Sequence, residues 1–267
     1  MVGLTYLLNL LLPALTLAHD HALTNNDDPL DPLSFRSAPV PSPPLPRRTL
    51  AGVSVVDTPL VRAAQAYARA HGADFVYAHI MRSWLFGALI ASHDAGLRSA
   101  VDEEVLAVAA LLHDLGWDRA PGSEIVSAER RFEVDGAVAA RRFIRGREED
   151  GQAWEERRVQ LVWDAIALHT ERSIAFYKEL EVQVVSKGIE MDFFGPGLGV
   201  TEAEYTAIVA EFPKTGFKNG FNDTIVWLCQ SKPDSTINTW MQPWGERYVE
   251  GYEVEGKAPI DFLLSGL

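Results

Sequence analysis

One cysteine, Cys229, stands among the 267 residues, so no disulfide closes within the chain and its stability must come from packing. Positive charge is scarce as well. Lysine and arginine total 24 against 37 acidic residues, a net charge of −13 that repels a phosphate backbone. The one arginine-dense stretch, RRFIRGREED from Arg141, is broken by acids and reads as a solvated helix end, so nucleic acid is not expected as a partner. A glycine-rich phosphate loop is also missing: GPGLG from Gly195 lacks the strand before it and the helix after it that a dinucleotide fold requires. The apolar run from Leu4 to Leu17 is too short to span a bilayer. Followed by Ala18 and the polar HDHALTNNDD, it reads as a secretory leader cleaved near Ala18; the positive start such a leader usually has is missing, since the first lysine or arginine is Arg36, and an uncleaved anchor is the alternative. Cleavage implies a secreted protein with no stable membrane association.

What is present supports one core: 47% of the residues are hydrophobic and 23% charged. The expected division is a signal peptide over residues 1–18, a disordered proline-rich leader over 19–50 (APVPSPPLPRR), and one domain over 51–267. Apolar residues recur at intervals of three and four from about 59 to 71, 74 to 93 and 102 to 116, then through WEERRVQLVWDAIALHT and about 173–187, 201–212 and 217–231. EVQVV from Glu181 is the main stretch that also reads as a strand, but it is isolated and has no hairpin turn beside it. The expected fold is all-α, a single helical bundle. Asn222-Asp223-Thr224 is a glycosylation sequon set among aromatic residues, so a buried, unmodified asparagine stands beside modification. Self-association stays open.

The apolar run VLAVAALLHDLGW carries His113 and Asp114 side by side where a buried helix gives out at Gly116, and an imidazole and a carboxylate so fixed could hold one metal ion. His79, six residues into the preceding helix, could complete a three-ligand set, with Arg82 and Ser83 on its face. His93 lies fourteen residues further on, about 21 Å along the helix, too far to share a metal with His79. Asp192 in IEMDFFG is a candidate fourth ligand, with a turn or cap aspartate the equal alternative. His169 is preferred to Asp164 as a further site residue, because an imidazole can be a ligand, a proton shuttle or a substrate clamp near neutral pH. RRFEVDGA invites a catalytic role for Glu133 or Asp135, but helix capping and surface ion pairing explain acids at a helix start just as well. Most of the aromatic residues nearby read as core, and Trp117 and Phe193, each beside a proposed ligand, are the candidates for a substrate pocket.

The order His79, His113-Asp114, Asp192 on consecutive helices resembles the metal-binding signature of the HD-domain superfamily. The blocks AHIMRSWLFG, VAALLHDLGW, AERRFEVDGA, AIALHT and GIEMDFFG to IVAEFP are similar to the fungal cyanamide hydratase group. The resemblance implies that His79, His113, Asp114 and Asp192 bind a divalent ion, zinc in the hydratases and iron, manganese or magnesium elsewhere, and that His169 matches a pocket histidine. Where several phosphohydrolase branches carry lysine after the HDxG turn, this chain has Trp117, and Arg82 is the only basic residue that can be placed near the ligands.

The expected chemistry is metal-assisted addition of water to a small uncharged molecule, a cyanamide-like nitrile giving a urea or amide. His169 is then the proton donor, Asp114 a ligand that also accepts a proton, and Arg82 the group that holds a carboxylate ligand in place. The alternatives are a metal-dependent phosphohydrolase acting on a nucleotide or small phosphomonoester, and a non-catalytic secreted helical protein with a structural metal site.

Overall fold

The computed structural model describes residues 44–147 and 154–265, so the proposed signal peptide and most of the proline-rich leader lie outside the described residues. Residues 47–50, expected in that leader, instead form a strand: β1 (Arg47–Leu50) pairs antiparallel with β2 (Val53–Val56). The hairpin closes through Ala51 and Gly52, both at positive φ (47° and 82°), as a two-residue turn matched to strand twist demands. The sequence alone hides this hairpin because alanine is an unusual first residue for such a turn.

Helices make up the rest. Thr58 caps α1 (Pro59–His71) by accepting from the Val61 N–H, with Pro59 in the first turn. The next helix, α2 (Asp74–His93), is long and apolar enough to cross a membrane, yet Ile80, Met81, Trp84, Leu85 and Phe86 are all buried in the protein. It is the central helix of the bundle, not an amphipathic surface one. After the short α3 (Ala95–Ala100), Asp102 caps α4 (Glu103–Leu112), whose residues from Glu104 onward are all buried. That helix ends at Leu112, four residues short of Gly116, and the chain tightens into a 3-10 turn over Leu115–Trp117 in which the Trp117 N–H bonds to Asp114 O. Gly116 permits this: a Cβ there would lie 2.1 Å from the carbonyl oxygen of Phe132, at the start of α5 (Phe132–Arg145).

α6 (Glu156–Leu168) is followed by a short α7 (Arg172–Ala175) and by α8 (Leu180–Phe194), so the expected single helix over 173–187 is broken and displaced. EVQVV lies inside α8, where Glu181 to Val185 are buried and packing overrides β-propensity. Helices α2 and α8 cross with their backbones in contact: a Cβ on Gly188 would sit 2.5 Å from Ser83 O and 2.8 Å from Gly87 N. One turn beyond Gly188 stands Asp192, one turn before Ser83 stands His79, and Arg82 immediately precedes Ser83. The crossing therefore sets these side chains against one another. The chain finishes with α9 (Glu202–Glu211), capped by a Thr201/Glu204 capping box, α10 (Phe217–Ser231), α11 (Gln242–Tyr248) and α12 (Pro259–Ser265).

Candidate metal centre

The end of α4, the first half of α2 and the end of α6 converge on one buried point. His79 Nε2 and His113 Nε2 lie 3.3 Å apart. Asp114 Oδ2 is 3.1 Å from His113 Nε2 and 3.7 Å from His79 Nε2, and its Oδ1 is 3.8 Å from His169 Nε2. The other ring nitrogen of each histidine faces away and donates its proton: His113 Nδ1 to Ala110 O (2.8 Å), His169 Nδ1 to Ile166 O (2.7 Å), and His79 Nδ1 to Asp192 Oδ2 (2.6 Å). Proton donation at Nδ1 fixes the tautomer and leaves three Nε2 lone pairs turned toward Asp114. His113 and His169 reach this position by the same device, each bonding back three residues from the end of its helix.

Asp192 does not join that cluster. Its Oδ1 accepts from Arg82 Nε (2.7 Å) and Lys214 Nζ (3.1 Å), and its Oδ2 accepts from Arg82 Nη2 (2.7 Å) and His79 Nδ1. Expected as a fourth ligand, it stands behind His79 with its lone pairs engaged, and its contact with the centre runs through that imidazole. Arg82 holds the carboxylate as expected, while its Nη1 donates to the carbonyls of Phe212 and Pro213. Lys214 also reaches the backbone oxygen of Asp192 and the Tyr205 hydroxyl.

Burial and charge oppose each other here. Desolvation pushes Asp114 up, but His113, His79 and His169 outweigh it and hold the carboxyl below its usual range. For His113 burial is likewise overcome by Asp114, so its pKa is raised, whereas for His79 burial prevails over Asp192 and lowers it. Burial and the neighbouring His113 bring His169 down to about 4. With its pKa so lowered, the neutral imidazole with a lone pair at Nε2 is the favoured form of His169 near pH 7.

Aromatic rings close over this point. Phe217 stacks on His79 (4.9 Å between centroids), Phe193 meets the same imidazole edge-on (5.3 Å), and Phe132 meets His169 (5.6 Å). Phe221 joins Trp117 (5.7 Å), Phe193 (5.5 Å) and Trp240 (6.1 Å) into one wall. Trp117 is buried at 6% exposure and Phe193 is 43% exposed, so the two expected pocket residues occupy the inner and outer parts of that wall. Phe217, Phe221 and Trp240 come from segments to which the sequence analysis gave no role in the site. Phe86, by contrast, packs in the core against Tyr205.

Glu133 was also undervalued. It is fully buried and accepts from Arg131, Thr170 Oγ1 (2.6 Å) and Trp240 Nε1 (3.2 Å), which ties the aromatic wall to the end of α6 beside His169. Its sequence signal, an acid in a first helical turn, is shared by many surface residues. Asp135 is buried too, paired with Lys232 (2.6 Å) and Arg130 (2.8 Å). His93 pairs with Glu204 (3.0 Å) and Asp164 with Lys178 (2.9 Å), both outside the cluster.

The donor set fits a divalent cation. The ligand atoms of His79, His113 and Asp114 lie within 4.8 Å of one another, and both oxygens of Asp114, a residue 3% exposed, have no hydrogen-bond partner. A buried carboxylate without a donor is costly unless a cation completes its surroundings. A search of the curated proteins finds no match to the chain. Residues 76–190 match the HD domain family, whose members are metal-dependent hydrolases, and the matched span contains His79, His113, Asp114 and His169. Over that span the chain is similar to the HD domain, and the His79, His113 and Asp114 cluster within it is a candidate site for a divalent cation.

Proposed function

We propose that this chain is a metal-dependent HD-domain enzyme that adds water to a small uncharged molecule, a cyanamide-like nitrile giving a urea or amide. One observation carries the substrate class: the cations bonded to the site's own residues are each bonded to a carboxylate as well. Arg82 and Lys214 are bound to Asp192, and Arg131 is bound to Glu133 and Glu171. A phosphate group needs a cation it can share, and these three are engaged. The walls that remain are aromatic, which suits a small apolar or uncharged guest.

His79 and His113 through Nε2, and Asp114 through its carboxylate, hold the ion in this reading, with His169 Nε2 beside them. Zinc is the ion proposed, since imidazole and carboxylate donors match its preference. A divalent ion there supplies Lewis acidity, polarising a nitrile and easing the deprotonation of water. The neutral His169 accepts a proton from water at Nε2 and returns it to the nitrile nitrogen, so the elements of water are added and nothing leaves. Phe193, Phe217 and Phe221 exclude bulk solvent from that exchange.

The test is a screen of the metal-reconstituted protein against cyanamide, other nitriles and phosphomonoesters. Hydration of cyanamide or a nitrile, lost in His113→Ala with the fold retained, is the expected outcome. Turnover of a phosphomonoester with every nitrile inert overturns the proposal. Bound metal with no turnover of any compound would favour a structural site instead.

A further inference from the structure

Three indoles belong to the aromatic wall, and two of them have acceptors. Trp240 Nε1 donates to Glu133 Oε1 (3.2 Å) and Trp244 Nε1 to Asn222 Oδ1 (3.1 Å). Trp117 Nε1 is buried and has none. A buried N–H without an acceptor is rare in folded proteins and costly to keep. The rings that pack on this indole, Phe132 (5.5 Å) and Phe221 (5.7 Å), are hydrocarbon and offer it no acceptor. Those two rings continue directly to the metal cluster, Phe132 onto His169 and Phe221 through Phe193 onto His79. The Trp117 backbone is itself tied to Asp114 by its N–H bond to the Asp114 carbonyl (2.9 Å). So the unsatisfied donor belongs to a residue three positions from a proposed ligand, in the same aromatic wall.

We propose that the Trp117 indole N–H donates a hydrogen bond to the acceptor atom of the bound substrate. This rests on the reading of an uncharged substrate at that cluster. An indole N–H donates only and does not titrate, so it selects a nitrile nitrogen or a carbonyl oxygen over a protonated amine of the same size, which has no lone pair to offer. During hydration the nitrile nitrogen gains negative charge, and a buried donor bonded to it stabilises that charge as it develops.

The test follows the indole proton–nitrogen resonance of Trp117 in the zinc-loaded protein, assigned by its disappearance in Trp117→Phe. Titrants are cyanamide, urea and inorganic phosphate. The expected result is a downfield shift of the Trp117 indole proton with cyanamide and urea, larger than that of Trp240 or Trp244. Trp117→Phe then lowers kcat/KM about ten- to a hundredfold with zinc content and melting temperature unchanged. A Trp117 resonance that stays fixed with all three titrants, or a Trp117→Phe variant with wild-type kcat/KM, overturns the inference. Movement with phosphate alone retains the donor and overturns the uncharged-substrate reading, so the two failures are distinguishable.

Discussion

Asp114 and Asp192 stand on opposite sides of His79, both buried and both held below the usual carboxylate range, yet their surroundings are unlike. Asp192 is saturated by Arg82, Lys214 and the Nδ1 proton of His79, while neither oxygen of Asp114 has a hydrogen-bond donor. One carboxylate is satisfied from within the protein and the other is left for something the protein must acquire. A single imidazole joins them, passing the constraint on Asp192 to the lone pair that faces Asp114.

Replacing Asp114 breaks the contrast most severely. Asp114→Asn is expected to reduce bound metal to background and turnover by about 10³-fold or more, read by metal analysis and steady-state rates. Next is Arg82→Ala, which strands a buried carboxylate and is expected to cost about 3–5 kcal/mol in urea unfolding of the metal-free protein. A cost nearer that of a surface pair would remove the distinction between the two aspartates.

Asp192→Asn is expected to weaken metal affinity about 10–100-fold in competition with a chelator. A loss as complete as that of Asp114→Asn would make Asp192 a ligand in its own right. The smallest effect is in acid. Burial raises the Asp192 carboxyl, but His79 and Arg82 outweigh it and depress the pKa. The stability it contributes is therefore complete above the ordinary carboxylate value near pH 4 and is lost as pH falls from there toward the depressed value. Unfolding followed below pH 4 should show a shallower pH dependence in Asp192→Asn than in the wild type.

The half of this comparison carried by Asp114 was legible in the sequence, because His113 and Asp114 are neighbours at a helix end and His79 shares a helical face with Arg82. The boundaries of α1 and α2 were legible too, through Pro59 and the length of the apolar pattern. Hidden were the features that depend on distant segments meeting. The partners of Asp192 lie on α2 and at Lys214, and nothing local distinguishes a ligand from a carboxylate that orients one. Glu133 and Trp240 are 107 positions apart, so no periodicity could pair them. The break between α7 and α8 was obscured because the apolar spacing runs on either side of it. Residues 76–190, the span similar to the HD domain, contain the candidate metal cluster, while Asp192, Phe193, Phe217, Phe221 and Trp240 lie beyond it.

The seam at Gly188 gives the site a fixed gauge. Where α2 and α8 meet, the parts in contact are peptide atoms, which have no rotamers to exchange. Repacking elsewhere in the core can shift the aromatic wall, but it cannot draw His79 away from Asp192 without parting two backbones. Under hydrostatic pressure the aromatic wall should yield before this spacing does, because close-packed backbone has little free volume left to surrender.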